Sequence, residues 1–568
     1  MAKAVKRPSA GDVLVIGSGA GGLSTAITAK KHGIDVVVVE KEPFFGGTTA
    51  FSGGVLWVPG NPHAKSAGIE DSREAAKTYL RRETGNFFAE AAIDAFLDEG
   101  PRMLEWFERE TEVKFVLSGY PDYHPDQEGG AKLGRSVTAA PYDARRLGDQ
   151  IRRLRPPLST ITFIGMMFNS SNEDLKHFFR ATKSLTSAIY VGRRLASHLM
   201  DLARYRRGVQ VTSGNALVAR LAKTALDLGI PILVGTSAEE LIRTGREVRG
   251  VRLRDASGTW DFAVNRGVVL ACGGFPHDET RIAEAYPHVA RGGRHRSPTP
   301  EGNTGDGLRL AEAVGANVEI RFPNAAAWMP VSEVPLRGGK TGLFPHLVDR
   351  YKPGVIAVNR QGRRFTNESN SYHDVGAAMI QSGGPGAEAW LICDHATIRK
   401  YGLGYAKPAP VPIGLYTGSG YLKRARTLTK LAKAAGIDPE GLEFTVQRYN
   451  QDAARGEDPE FGRGTTAFNR FLGDSEHKPN PNVAPVGKGP YYALKLVMGD
   501  LGTFDGLETD LVGRVLGADA EPVRGLYAVG NDRASIMGGN YPGAGITLGP
   551  IMTFGFITGR HLAGVDRL

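Results

Sequence analysis

The stretch "DVLVIGSGAGG", residues 12–22, followed by "DVVVVE" at 35–40, decides the fold. Residues 12–16 are a short apolar run, as expected of a strand buried on both faces. A helical pattern then continues to about Lys31, and the second apolar run ends in Glu40. This is a βαβ unit with a GxGxxG turn in its required context, which specifies dinucleotide binding. Gly17 makes the tight turn, with Ser18 and Ala20 completing the loop. Gly19 lets backbone reach a pyrophosphate, and Gly22 lets helix and strand pack. The helix N-terminus offers partial positive charge to the phosphates, and Glu40 is placed to accept hydrogen bonds from a ribose.

The following loop separates FAD from NAD. It reads "KEPFFGGTTAFSGG" (41–54). A second Gly/Ser/Thr-rich stretch after the acidic residue suits a long cofactor lying extended across the domain, so Lys41, Gly47, Thr48, Thr49, Ser52, Gly53 and Gly54 are assigned to it. Far downstream, "RGVVLACGG" (266–274) reads as a buried strand delivering Gly274. "GLYAVGN" (525–531) delivers Gly530 and Asn531, and "NYPGAGITLGP" (540–550) leads through Ile546 and Leu548 into a helix facing the cofactor. Gly-rich junctions spread over the whole chain indicate FAD held by a discontinuous domain.

The bulk composition agrees. At 568 residues the chain exceeds one core and divides into two or three domains. Its 74 glycines cluster at strand–helix junctions rather than in low-complexity runs. Two cysteines, Cys272 and Cys393, exclude a disulfide framework or a cysteine metal site and fit a reducing compartment. No metal-ligand spacing surrounds the histidines, and Cys272 is expected simply to fill space beside a strand end. The first residues form a short basic arm without an apolar leader. No run reaches the roughly 18 apolar residues of a membrane span. The expectation is a cytoplasmic protein.

"GGTTAFSGG", "NTGDGLRLAEAVGA" (303–316), "GRRFTNES" (362–369) and "GLYAVGN" together resemble the fumarate reductase and succinate dehydrogenase flavoprotein superfamily. The resemblance implies an α/β protein, a Rossmann-like FAD-binding domain with an inserted α+β catalytic domain. The FAD domain would comprise 1–150, 208–324 and 501–568, and the catalytic domain 325–500. Dicarboxylate-reducing members carry a histidine where this chain has "DLGTFDGLETD" (500–510), with Leu501 or Gly502 in its place. The histidine that attaches flavin covalently in the respiratory enzymes is also missing around Thr48 and Thr49. A non-covalent FAD and an uncharged substrate follow.

"YPDYHPD" (120–126), "NESNSY" (367–372) and "NYPGAG" (540–545) each place a tyrosine in a polar or Gly/Pro-rich segment. The trio is similar to that of the flavin-dependent 3-ketosteroid Δ1-dehydrogenases, with Tyr123, Tyr372, Tyr541 and Gly545 at matching positions. The resemblance implies a 3-ketosteroid substrate and an external electron acceptor. Tyr541 and the Gly545 N–H would polarise the ketone, Gly545 having no side chain to block the oxygen. Tyr372 would take the C2 proton while hydride leaves C1 for flavin N5, and Tyr123 would assist Tyr372. The alternatives are the related Δ4-(5α)-dehydrogenase and, further off, a fumarate-reductase-like flavoprotein.

The net charge of +10 is concentrated in residues 151–207, which hold eleven Lys/Arg against three acids. Residues 156–172 carry no charge, and 174–207 read helically, with Leu175, Phe178, Phe179, Leu185, Ile189, Leu195, Leu199 and Leu202 on one face and arginines on the other. A basic amphipathic helix beside an apolar loop suits a peripheral membrane contact. An oligomer contact or packing on the protein's own surface are the other readings. No recognition module accompanies the charge, so no nucleic-acid partner is expected.

Overall fold

The computed structural model describes residues 7–163, 165–167, 177 and 184–565. Its first layer is an eight-stranded sheet whose parallel core draws on four distant parts of the chain. Strand Ala10–Ile16 lies between Val36–Glu40 and Gly258–Leu270, both parallel to it. Ile232–Val234 extends the sheet beyond Val36–Glu40, and Pro522–Ala528 pairs in parallel with the end of Gly258–Leu270. The apolar runs at 13–15 and 36–39 are buried on both faces, which requires helices on each side. Helix Ala20–Lys31 supplies one cover and packs along helix Leu548–Leu562.

The second layer is a six-stranded antiparallel sheet. Its order is Thr341–Pro345, Ala326–Pro335, Tyr491–Thr503, Ala389–Asp394 and Ile356–Val358, with Lys423–Ala425 added to Tyr491–Thr503. Helix Tyr372–Ser382 packs on Ala326–Pro335; Ser371 caps it by accepting from the Asp374 N–H. The strands of the parallel-cored sheet lie within residues 10–270 and 514–528, and those of the antiparallel sheet within 326–503.

Two expectations for 151–207 need correction. Its first dozen residues are built into the body: Ile151 and Leu154 are core, Leu154 pairs with Phe45, and Thr160 donates to the Leu343 carbonyl of the antiparallel sheet. Helix Leu185–Tyr205 also turns differently from its reading as an apolar face backed by arginines. It buries Ser187 and His198, leaves Leu195 and Leu202 half-buried, and exposes a stripe of Leu185, Ile189, Gly192, Ala196 and Leu199. Leu175, Phe178 and Phe179 lie outside the described residues. No helix among the described residues is long and apolar enough to cross a membrane.

Candidate active site

The glycine junctions converge where parallel α/β sheets bind ligands, at the carboxyl ends of the strands. One cavity there runs from the Gly17 turn past residues 47–55 to the three tyrosines between the two sheets. Of the residues assigned from sequence, Gly17, Ser18, Gly19, Ala20, Glu40, Lys41, Gly47, Thr48, Thr49, Ser52, Gly53, Gly54, Gly530, Asn531 and Leu548 line it. Gly22, Gly274 and Ile546 do not. Gly22 packs helix on turn, since a Cβ there would lie 2.1 Å from the Gly17 carbonyl oxygen. Gly274 turns toward Thr503, and Gly273 takes its place on the wall. Ile546 is core.

Polar contacts fix the cradle. The Glu40 carboxylate accepts from the Ser18 N–H and hydroxyl at 3.2 and 2.6 Å, and from the Glu42 N–H at 3.0 Å. Buried Asp532 accepts from the N–H groups of Cys272 and Gly274 at 2.6 and 2.9 Å, tying together the two distant strand ends. Cys272 therefore belongs to the cavity wall rather than to inert packing. Asn303 donates to Thr48, and Lys41 pairs with Asp306, so "NTGD" closes the same end.

The residues present fit FAD. Helices Ala20–Lys31 and Leu548–Leu562 both start at this cavity, and neither N-cap residue caps its helix with its own side chain; Thr49 accepts from the Ala20 N–H at 3.0 Å and the Gly545 carbonyl from the Gly549 N–H at 2.9 Å. The other first-turn N–H groups are placed for an anion or a polar ring edge. Arg155, missed in the sequence reading, lines the cavity with its buried Nε and Nη2 hydrogen-bonded to no atom of the described residues; Glu42 lies 3.8 Å away. A buried guanidinium without acceptors is costly, and a pyrophosphate or ribose would satisfy it. Glu40, Lys41, Glu42, Arg155 and Asp306 are the ionisable acids and bases among the described lining residues, and contacts join them all at the cofactor end.

The other end carries no charge among the described lining residues. Tyr123, Tyr372 and Tyr541 are 7, 7 and 5% exposed and belong to one core cluster. Tyr123 stacks on Tyr541 at 5.6 Å between ring centres, and Tyr372 meets both edge-on at 5.9 and 5.1 Å. Tyr120, Tyr351, Phe468, Leu472, Leu347 and Leu501 complete the wall. Of Leu501 and Gly502, the two residues that stand in place of a histidine, Leu501 lines the cavity. Pro157, Leu158, Ile161 and Met167 roof the cavity; sequence reading missed them because it took 151–207 for an external appendage.

Burial holds all three phenols above their ordinary range, and for Tyr123 and Tyr372 well above it. The neighbouring hydroxyls act unevenly: Tyr123 and Tyr541 favour neutral Tyr372, and Tyr372 eases ionisation of both. Neighbouring His373 accepts from the Trp328 N–H, and burial lowers it to about 4, so it is neutral.

Gly545 has φ +96°. Packing alone requires a glycine here: an added Cβ would lie 2.5 Å from the Val55 carbonyl oxygen. Its carbonyl accepts from the Trp57 N–H at 3.0 Å, while its own N–H meets no acceptor among the described residues. The glycine permits close packing on strand Val55–Trp57 while lining the cavity.

A nucleotide cradle at the strand ends joined to an uncharged phenolic pocket defines an FAD-dependent oxidoreductase. The chain belongs to the family described as "FAD binding domain", whose model matches residues 12–548. It is 42% identical over 97% of its length (93% of the relative) to the 4-oxocyclohex-2-ene-1-carboxylate 5-dehydrogenase of Sinomonas cyclohexanicum. It is 37% identical to the 3-oxosteroid 1-dehydrogenase of Mycobacterium tuberculosis strain H37Rv, over 97% of this chain and 98% of that one. The crystal structure of 3-ketosteroid Δ1-dehydrogenase from Sterolibacterium denitrificans in complex with 1,4-androstadiene-3,17-dione matches with TM-score 0.88 and 36% identity, covering 98% of this chain and all of that one.

Proposed function

We propose that this protein desaturates the C1–C2 bond of 3-ketosteroids. The observation that carries the reading is the pocket itself: three phenols and an available Gly545 N–H surrounded by apolar side chains, with every ionisable acid or base of the described wall at the opposite end. The Tyr541 hydroxyl and the Gly545 N–H would hold the C3 ketone oxygen as negative charge develops on it, and loss of one such donor costs about 10²–10³ in rate. Once the Tyr541 hydroxyl turns to the ketone, it no longer favours neutral Tyr372, which takes the C2 proton. Tyr123, whose ring meets Tyr372 edge-on, relays the proton from Tyr372. FAD, when bound, supplies the acceptor for the hydride that leaves C1. An external acceptor reoxidises the protein.

The relative at 42% identity is named for a substrate that carries a carboxylate. Here such a group would enter the tyrosine end without a cation among the described lining residues, and burying an unpaired charge is costly. That favours the uncharged polycyclic ketone, as does the steroid in the structure matched at 36% identity. Anaerobic mixing of the oxidised protein with androst-4-ene-3,17-dione, and separately with 4-oxocyclohex-2-ene-1-carboxylate, tests the choice. Flavin bleaching by the steroid alone supports the reading; bleaching by the carboxylate alone refutes it.

The protein also fits the cytoplasmic surface of a membrane, from which it would draw a lipid-dissolved steroid. Leu185, Ile189, Leu199 and Met200 are 78, 49, 60 and 69% exposed on helix Leu185–Tyr205, with Arg193, Arg204 and Arg206 exposed nearby. An apolar stripe among cations suits an anionic bilayer, each cation contributing about 1 kcal/mol near the surface.

A further inference from the structure

The three tyrosines come from separate segments, and their mutual distances depend on how those segments are joined. Tyr541 is tied to Tyr123 through one carbonyl: Pro542 O accepts from the Tyr123 N–H at 2.8 Å and from the Tyr79 hydroxyl at 2.6 Å. Helix Arg73–Thr84, which carries Tyr79, also binds Asn540 through the Glu83 carbonyl at 2.6 Å. Tyr372 has no such backbone tie to this group, because it opens a helix of the antiparallel sheet's layer. One link from the Tyr541 loop runs from the Gly539 carbonyl through Asn324 and Trp328 to His373; the link beside Tyr123 runs through His124. Its Nδ1 lies 2.9 Å from a Glu83 carboxylate oxygen and its Nε2 3.1 Å from an Asp374 oxygen.

We propose that His124, bridging Glu83 and Asp374 across the two sheet layers, is a positioning residue that sets Tyr123 against Tyr372 for proton transfer. The three bridge residues adjoin the reacting groups in sequence. His124 follows Tyr123, Asp374 is two residues after Tyr372, and Glu83 shares a short helix with Tyr79. Asp374 is itself oriented by the Ser371 hydroxyl at 2.8 Å. Carboxylates only accept hydrogen bonds, so a ring placed between two of them carries hydrogen on both nitrogens. Burial alone would lower the imidazolium, but the bonds to Asp374 and Glu83 outweigh it and push the group up to about 11. The bridge therefore stays charged across the working pH range and acts as a fixed strut. A loosened strut leaves the pocket walls and the cradle in place, yet lets the Tyr123–Tyr372 distance drift. Misplacement by about 1 Å costs on the order of 10²-fold in rate.

The inference rests on the proposed roles of the tyrosines, so Tyr123→Phe and Tyr372→Phe are measured beside the bridge variants. His124→Gln keeps one hydrogen bond and loses the charge; His124→Lys restores a cation between the carboxylates. Asp374→Asn tests the other end should His124→Gln not fold. The expected result for His124→Gln and Asp374→Asn is a kcat reduced at least tenfold, KM within threefold, and full FAD occupancy. His124→Lys should recover most of the kcat. A His124→Gln protein with kcat within twofold of the parent overturns the proposal. So does parallel loss of kcat, KM and FAD without rescue by Lys, which marks a merely structural contact. If the tyrosine variants themselves retain activity, the proposed chemistry fails instead, whatever His124 does.

Discussion

Replacing Gly545 by alanine isolates the hydrogen-bond donor at the centre of the proposed chemistry. The new Cβ would stand 2.5 Å from Val55 O, 2.6 Å from Val55 C and 2.7 Å from Leu56 C. All three are backbone atoms, so no flexible side chain can give way, and the residue must also keep φ near +96°. That conformation costs an L-residue about 1–2 kcal/mol, and relief of the contacts pushes residues 544–546 away from strand Val55–Trp57. The Gly545 N–H then leaves its line to the ketone oxygen. Loss of one such donor corresponds to about 10²–10³ in rate, or about 2.7–4 kcal/mol. With androst-4-ene-3,17-dione as substrate, Gly545→Ala should lower kcat/KM by that factor while the protein keeps its FAD and loses only a few degrees of melting temperature. Tyr541→Phe should fall in the same range, and the double variant should lose less than the product of the two, since both donors serve one oxygen. A folded, FAD-loaded Gly545→Ala protein with kcat/KM within threefold of the parent would refute the reasoning.

Three further outcomes are expected. Because Tyr372 must lose a proton to act as base and burial raises it well above the usual phenol value, log kcat/KM should climb with pH from 7 towards 10 without a plateau; a flat profile contradicts the assignment. The sign for stability is opposite. Phenols raised in the folded state ionise first in the unfolded chain, so stability present below about pH 10 is lost above it, and the kinetics are read below that limit. Arg155→Ala should weaken FAD binding about ten- to a hundredfold by removing charge-assisted hydrogen bonds of about 1.5–3 kcal/mol, read by equilibrium dialysis against free FAD; unchanged affinity removes Arg155 from the cofactor site. Changing Leu185, Ile189, Leu199 and Met200 together to glutamine should abolish co-sedimentation with phosphatidylglycerol vesicles while leaving turnover of detergent-dispersed steroid intact. Equal sedimentation of parent and variant defeats the membrane reading.

The parts of this protein legible in sequence are those where chain geometry is locally forced. The Gly17 turn between two continuously apolar strands has one structural meaning, and Glu40 follows from its place at a strand end. Residues whose role depends on distant packing were harder to read. Gly273 and Gly274 are adjacent glycines, and only the approach of Thr503 decides which one faces the cavity. Arg155 stands among neighbouring arginines that are exposed; its burial arises from pairing of its segment with Phe45, which no local pattern announces. His124 was visible beside Tyr123, but Glu83 and Asp374 meet it only after both sheets have formed.

The central claim is that the phenolic pocket removes hydrogens from C1 and C2. One measurement tests it most directly: turnover of 5α-androstane-3,17-dione, followed by proton NMR of the product. The account expects two mutually coupled vinyl protons, on C1 and C2. A single uncoupled vinyl proton on C4 would contradict it.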